Sequence, residues 1–110
     1  MNHVILVGRL TETPTLVNSD TENMRSTITV AVKRTYKNQE GIYETDFLRC
    51  ILWNGMAKRA SEVYKKGDIV CVHGRLQIRT YEDDHKEKKY FTEVIAEQIS
   101  LVSAYKQPEA

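Results

Sequence analysis

Alternation of apolar and polar side chains is the dominant pattern in this sequence. Within residues 69–81 the even positions include Val70, Val72, Leu76 and Ile78, whereas most odd positions are polar or charged. Side chains of a β-strand point alternately to the two faces of a sheet, so a period of two predicts a half-buried strand. We expect the apolar side of this strand to face the core along its length.

Other segments also have the character of strands. Residues 26–36 alternate in the same way, and residues 47–53 are apolar on both faces. Residues 90–102 are rich in aromatic and β-branched side chains, which favour strands. A short run at residues 4–7 is apolar without alternation. The protein is therefore predicted to consist chiefly of β-structure.

One segment changes to a helical period. Its apolar stripe consists of Met56, Ala57, Ala60, Val63 and Tyr64. This spacing predicts an amphipathic helix of about three turns. Asn54 is the expected N-cap, and Gly67 is the expected left-handed glycine after the last turn. Lys65 and Lys66 are expected in that last turn, where the helix dipole favours cations.

Two polar stretches separate the strands. Residues 37–41 end in glycine and are typical of a hairpin loop. Residues 82–89 are all charged or histidine, which predicts a solvated loop between the last two strands. Gly8 and Gly74 lie inside strand patterns, where glycine is typical of a bulge or sharp bend.

The resulting order is three strands, one helix and two strands. This is the order of an OB-fold, a five-stranded Greek-key barrel with a helix between strands 3 and 4. We expect one such domain over residues 1–103, followed by a short flexible end at residues 104–110.

Composition narrows the class of protein. The chain has 110 residues, of which 41% are hydrophobic and 28% charged, as in ordinary soluble domains. No apolar run is long enough for a membrane span, and the N-terminus does not resemble a signal peptide. A cytoplasmic, nucleoid-associated protein is expected. The net charge is only +1, but residues 1–81 carry +4 and residues 82–110 carry −3, so the total can conceal a basic face.

Catalytic and metal-binding patterns are not found. There is no glycine-rich phosphate loop and no nucleophile elbow. Cys50 and Cys71 are expected to be reduced and packed as small hydrophobes, and the three histidines are too scattered for a zinc site. We therefore expect no enzyme, no metal and no cofactor.

Aromatic and basic residues interleave on the predicted strands. The aromatic members are Tyr36, Phe47, Trp53 and Tyr81, and the basic members are Lys33, Arg34, Lys37, Arg49, Arg75 and Arg79. Such a surface can stack the bases and contact the phosphates of single-stranded nucleic acid without reading its sequence. From the pattern alone, Phe47 and Trp53 fit the core equally well. Tyr64 and Phe91 are expected to serve only in packing.

These residues resemble a known family, the bacterial single-stranded DNA-binding proteins. The matching motifs are VILVGRLT at 4–11, Pro14, ITVAV at 28–32, WNGMA at 53–57, YKKGD at 64–68, GRLQIRTY at 74–81 and TEV at 92–94. The resemblance covers residues 2–102. It places the family's base-stacking positions on Tyr36, Phe47, Trp53 and Tyr81. The polar loop at residues 18–23 departs from the family by lacking paired glycines.

The resemblance implies a function and an assembly. Family members bind and protect single-stranded DNA in replication, recombination and repair, as homotetramers built from two dimers. A subunit interface would explain why Val4, Ile5, Leu6 and Val7 do not alternate. Main replication members also carry an acidic C-terminal tip that recruits partner proteins. These 110 residues contain none, so tail-mediated partners are doubtful and a short form is expected.

Two other classes of function stay open. The chain is also compatible with an accessory OB-fold protein of replication restart or of a mobile element, which would bind both DNA and a protein partner. A structural or RNA-binding OB module is the other alternative, because no residue pattern here reads the 2′-hydroxyl.

Overall fold

Five strands and one helix make up the computed structural model, which describes residues 1–18 and 22–106. In chain order the elements are β1 (Val4–Leu10), β2 (Arg25–Lys37), β3 (Tyr43–Trp53), α1 (Asn54–Val63), β4 (Ile69–Glu82) and β5 (Lys88–Ser103). The predicted order of strands and helix is confirmed.

The strands close into a barrel in the order β1–β2–β3–β5–β4. All neighbours are antiparallel except β3 and β5, which pair in parallel at Cys50 and Val94. A closed barrel with this connectivity, and with a helix between the third and fourth strands, is the OB-fold expected from the sequence.

The core fills the barrel from the inward-facing positions of its strands. Its fully buried members are Leu10, Val30, Cys50, Leu52, Ala57, Ala60, Val70 and Val72. Two of these are the alanines of α1, so the helix covers the barrel through Ala57 and Ala60, whereas Val63, which the predicted stripe also includes, is exposed. Tyr64, which follows the helix, is also buried, as expected.

The β4–β5 hairpin extends well beyond this core. β4 is buried at alternate positions up to Gly74 but exposed from Arg75 onward. Pairing with β1 ends at Gly74, so beyond that residue β4 pairs only with β5. The expectation that Leu76 and Ile78 face the core is therefore wrong: both are exposed, because β1 does not extend beyond its pair with Gly74.

Both predicted special glycines lie at close backbone approaches. The β4–β5 register shifts between His73 and Gly74, which marks a bulge. A side chain at Gly74 would collide with the Ile95 carbonyl oxygen, and one at Gly8 would collide with that of Ala31. Only glycine fits where the barrel bends this sharply.

The helix boundaries differ from the prediction at both ends. The N-cap is Trp53, in an extended conformation and without a side-chain capping hydrogen bond, and the helix begins at Asn54, whose φ of +53° lies in the left-handed region. The helix ends at Val63, and Tyr64 is extended. Lys65 and Lys66 therefore follow the helix and are not part of its last turn.

Gly67 serves the next turn and not the helix end. Its φ of +93° lies in the left-handed region that favours glycine. Its N–H donates to the Leu10 carbonyl at 2.9 Å, and the Asp68 carboxylate accepts the Lys65 N–H at 2.9 Å. The connection between α1 and β4 is thus tied to the end of β1, a contact that the local sequence pattern does not encode.

One polar side chain accepts backbone hydrogen bonds within the loop of each long hairpin. Asn38 Oδ1 accepts the N–H of Ile42, and Asp83 Oδ1 accepts that of Glu87. The loop predicted at residues 37–41 is present and spans residues 38–42. The second loop is shorter than predicted, because β4 continues to Glu82 and β5 begins at Lys88.

The end of β5 coincides with the predicted end of the domain at Ser103. Beyond it, the Tyr105 N–H donates to Asp68 Oδ1 at 3.0 Å. Residues 107–110 of the expected flexible end and residues 19–21 of the polar loop lie outside the described residues. The described helix is too short to cross a membrane.

Candidate nucleic-acid interface

The outer face of β3 carries three of the predicted site residues. Because Cys50 and Leu52 point into the core, the alternation of the strand places Phe47, Arg49 and Trp53 outside. Phe47 is 65% exposed and Trp53 is 42% exposed. Neither ring belongs to the core, so of the two interpretations left open by the sequence, the structure favours the surface.

Phe91 is the centre of the neighbouring part of this face. Its ring stacks on Tyr81, with centroids 5.3 Å apart and planes 7° from parallel. The Arg79 and Arg49 guanidinium carbons lie 5.6 and 6.0 Å from the Phe91 ring centroid. We call these four residues the Phe91 cluster. It joins β3, β4 and β5 into one surface of parallel rings and cations.

Phe91, which the sequence assigns to packing, lies on the outer face and not in the core, where it packs against Tyr81. The β4–β5 register pairs Phe91 with Arg79, so both point outward. The alternation of β5 contains a signal for this placement. Val94 points inward, so Phe91, three residues earlier, is expected to point outward. Using that signal requires the register between the two strands, which one strand does not reveal.

A second group of aromatic and basic residues lies at the β2–β3 hairpin. The Lys33 and Lys37 ammonium groups lie 5.2 and 5.6 Å from the centroid of the Tyr43 ring. Tyr43 lies on the same face of β3 as Phe47. We call Lys33, Lys37 and Tyr43 the Tyr43 cluster. Tyr43 was not among the residues selected from the sequence, because its cations come from the opposite strand.

Three of the predicted stacking residues, Tyr36, Phe47 and Trp53, belong to neither cluster. The guanidinium carbon of Arg25 lies 6.0 Å from the centroid of the Trp53 ring. Tyr36 is exposed near the end of β2, where the register with β3 shifts. Among the described residues, no ring contact joins Tyr36 to Phe47, Trp53 or Tyr81.

Arg34 differs from the other predicted phosphate ligands. Its guanidinium donates to both Asp46 carboxylate oxygens, at 3.0 and 2.8 Å, and to Glu44 at 2.6 Å. The hydrogen bond from Arg34 lowers the pKa of Asp46 below its usual value. Asp46 and Glu44 lie on the side of β3 opposite Phe47. A phosphate would have to compete with two carboxylates for Arg34.

Arg79 is also paired, but on the outer face. Its Nε lies 3.3 Å from Glu93 Oε1. Glu93 is only 3% exposed, and its Oε2 has no hydrogen-bond partner among the described residues. Arg79 itself is half exposed, so its remaining N–H groups can reach a ligand.

The other predicted phosphate ligands are Lys33, Lys37, Arg49 and Arg75. Within residues 1–18 and 22–106, none of them is in an ion pair. The Arg75 guanidinium donates only to the neutral Gln77 side chain, at 2.7 Å. The hairpin tip, in contrast, is internally neutralised, since Lys89 approaches both Asp83 and Glu87. Three of these four free cations, Lys33, Lys37 and Arg49, lie against aromatic rings of this surface.

The predicted interface strand alternates after all. Val4 and Leu6 pack against the core, whereas Ile5 and Val7 are 66% and 51% exposed on the outer face of β1. The exposed members are therefore those that a second copy of the chain could cover.

The described residues offer few side chains suited to metal binding or nucleophilic catalysis. In the part of the chain that the structure describes, no three His, Cys, Asp or Glu side chains come together to hold a metal ion. Burial raises the pKa of the Cys50 thiol to about 12. That thiol is a core side chain and a poor nucleophile.

Comparison with known proteins agrees with this geometry. Residues 1–102 match the model of the single-strand binding protein family. The chain is 42% identical over 102 residues, 93% of its length, to a Listeria innocua protein named single-stranded DNA-binding protein 2, of which it covers 64%. It is 42% identical to the single-stranded DNA-binding protein of Bacillus cereus over 93% of its own length and 60% of the relative's.

A third relative is of nearly equal length. The chain is 38% identical over 108 residues to single-stranded DNA-binding protein 1 of Clostridium acetobutylicum, covering 97% of this chain and 98% of the relative. The chain spans less than two thirds of the Listeria and Bacillus relatives, but the family model covers nearly all of its residues. The barrel, its outer aromatic face and these matches lead to one conclusion: the chain belongs to the single-strand binding protein family.

Proposed function

We propose that this protein binds single-stranded DNA, independently of base sequence, on the outer face that carries Phe47, Trp53 and the Phe91 cluster. The observation that carries the proposal is the Phe91 cluster itself. There, two parallel rings from different strands lie next to two guanidinium groups. Parallel rings offer π-faces to bases, and the cations offer partners to the phosphates between them.

Lack of base preference follows from the kind of contact. Every base has a π-face, so stacking on Phe47, Trp53 or Tyr81 tolerates all four bases. Phosphate contacts fix the position of the strand without carrying sequence information.

The charge distribution supports binding of a polyanion despite the net charge of +1. Lys33, Lys37, Arg49 and Arg75 are exposed and unpaired among the described residues, and all lie on or beside the aromatic face. The acids of the hairpin tip lie at one end of this face and are partly compensated by Lys89. A local field of cations, and not the total charge, attracts the phosphates.

Binding of this kind protects exposed single strands during replication, recombination or repair. The names of the relatives, which are all single-stranded DNA-binding proteins, support this role. The corresponding location is the cytoplasm, at the nucleoid.

The assembly we propose is a homotetramer formed from two dimers. Its support is the apolar outer side of β1, where Ile5 and Val7 are more than half exposed in the single chain. A self-complementary contact between two copies of β1 would cover these side chains.

A titration with oligo-dT tests the function directly, because Trp53 is the only tryptophan. Stacking of a base on Trp53 should quench its emission. Trp53→Ala should weaken binding by roughly 1–3 kcal/mol. Tyr90→Ala, which removes an exposed ring from the other face of the β4–β5 hairpin, should leave the affinity unchanged.

Anisotropy of a labelled oligonucleotide gives an independent readout. Binding without any change in emission would remove Trp53 from the contact surface, and no binding by either method would overturn the proposed function. Competition between oligo-dT and oligo-rU separates DNA binding from RNA binding, since only RNA carries the 2′-hydroxyl.

A further inference from the structure

A row of outward-facing residues crosses three strands beside the aromatic face. Arg9 on β1 pairs with Ala31 on β2, and Ala31 pairs with Phe47 on β3. Adjacent strands lie about 4.8 Å apart, so the backbone of Arg9 is about 10 Å from that of Phe47. Because Ala31 has the smallest side chain of the row, the surface between the Phe47 ring and the Arg9 guanidinium forms a shallow depression. We refer to this depression as the path between them.

This path leads to a cavity of about 580 Å³, whose lining includes Arg9, Thr11, Ala31, Lys66 and Tyr105. We call it the Tyr105 groove. A second hollow of about 430 Å³ shares Arg9 and Ala31 with it, extends to Lys33 of the Tyr43 cluster, and also includes Val7 of the proposed subunit contact. The groove thus adjoins the proposed binding surface at Ala31, the strand neighbour of Phe47, and through the second hollow, which reaches Lys33. Its size is in the range of small-ligand sites.

The Tyr105 ring is held in place at the mouth of this groove. The Tyr105 N–H donates to the buried Asp68 carboxylate, and the Arg9 guanidinium lies 6.0 Å from the ring centroid. Arg9 in turn donates to the Gly67 carbonyl at 2.6 Å. A Cβ at Gly67 would lie 2.8 Å from Tyr105 Cγ, so the close approach of the ring depends on this glycine. The ring remains half exposed.

The charges of the groove favour an anion. Arg9 and Lys66 are exposed, and neither forms an ion pair with a carboxylate among the described residues. An exposed aromatic ring beside two cations resembles, on the other side of Ala31, the rings and guanidinium groups of the Phe91 cluster, although Arg79 there is paired with Glu93. The ligand chemistry that fits both is a planar base joined to a phosphate.

We propose that the Tyr105 groove takes the continuation of the DNA strand that leaves the aromatic face at Phe47. One base stacks on Tyr105, and the adjoining phosphate contacts Arg9 and Lys66. This inference rests on the proposed function and extends it, because it gives the strand a direction across β2 and β1 toward the end of α1. It also assigns a role to Tyr105, which lies beyond the last strand.

Oligonucleotide length provides the test. OB-folds contact from about 4 to about 16 nucleotides. For oligo-dT of about 4 nucleotides, occupying the aromatic face alone, Tyr105→Ala should leave the affinity unchanged. For about 16 nucleotides it should weaken binding about fivefold or more, the equivalent of one lost stacking contact. Tyr105→Phe should bind as the wild type does, and Tyr90→Ala is the matched control.

A charge variant tests the phosphate contact separately. Lys66→Gln should reduce the salt dependence of the longer oligonucleotide only, whereas Lys58→Gln, on the exposed side of α1, should not change it. Equal weakening of both lengths by Tyr105→Ala, or of neither, would overturn the proposal. A change in the oligomeric state of Tyr105→Ala, measured by sedimentation, would also overturn the proposal, because it would mean that a second copy of the chain covers the groove. If wild-type protein bound neither length, the proposed function would fail instead.

Discussion

The rings of Tyr81 and Phe91 lie 5.3 Å apart and 7° from parallel, on two strands that pair along the whole β4–β5 hairpin. A centroid distance of this size with nearly parallel planes is the offset-stacked arrangement that aromatic pairs favour. One face of Tyr81 is therefore already covered by Phe91, and a base has the other face or the edge of the pair available. The stacking unit at this position is the pair and not either ring alone.

Phe91→Ala should therefore weaken oligo-dT binding about as much as Tyr81→Ala does, by roughly 1–3 kcal/mol each. Loss of Phe91 removes the support that orients Tyr81, and it also removes the ring under Arg49 and Arg79. Fluorescence or anisotropy titration measures the affinities, and thermal unfolding checks that both variants fold.

The double variant distinguishes a shared unit from two separate contacts. Residues in contact give single-variant effects that do not add. We expect the Tyr81→Ala, Phe91→Ala double variant to bind only slightly more weakly than either single variant. Additive losses would mean that a base stacks on each ring independently.

Strand alternation made part of this surface predictable. Phe47, Arg49 and Trp53 share a face because a strand repeats every two residues, which is a local property of the chain. Phe91 and Tyr43 could not be found in this way. Their partners lie on the opposite strand, and the pairing depends on register and, for Tyr43, on the shift between Lys33 and Lys37.

The errors in the fold prediction have the same origin. The apolar residues Leu76 and Ile78 alternate as expected. Alternation does not show, however, that β1 stops pairing with β4 at Gly74. Gly67 was interpreted as a helix end, although its N–H bonds to Leu10, 57 positions earlier in the chain. Both features are decided by tertiary contacts, which local patterns do not contain.

Cys50 should resist alkylation in the folded protein. Burial raises the pKa of its thiol to about 12, and the thiolate is the reactive form. At pH 8 iodoacetamide should modify the less buried Cys71 first and Cys50 only after unfolding, as mass spectrometry can follow. Because the folded pKa lies above the ordinary value of 9.0, the associated stability is present below pH 9 and lost as the pH rises toward 12. Early labelling of Cys50 would contradict its placement in the core.

Ile5→Lys should dissociate the proposed tetramer without unfolding the subunit. Ile5 is two-thirds exposed in the single chain, so a lysine is tolerated there, but a charge in a contact between copies loses its hydration. Sedimentation should show smaller species for this variant. Val63→Lys, at an exposed apolar position of α1, should not alter assembly. A wild-type protein that is monomeric at micromolar concentration would contradict the proposed assembly.

The pairing of the arginines predicts unequal salt effects on DNA binding. Each phosphate contact to a single strand contributes about 0.7 to the slope of log K against log salt. Arg75 has no carboxylate partner among the described residues, so Arg75→Gln should lower the slope by about 0.7. The affinity for dT, dC and mixed oligonucleotides should fall by similar factors, because a phosphate contact does not distinguish bases.

Arg34→Gln is the informative comparison for that variant. The Arg34 guanidinium forms ion pairs with Asp46 and Glu44. Its removal breaks both pairs and leaves two uncompensated carboxylates facing the approaching DNA. Binding should weaken by repulsion while the number of phosphate contacts, and hence the slope, stays nearly constant. If Arg34→Gln lowered the slope as much as Arg75→Gln, Arg34 would leave its carboxylates for a phosphate on binding. The predicted phosphate role of Arg34 would then stand, and the unbound ion pair would be a resting state of that ligand.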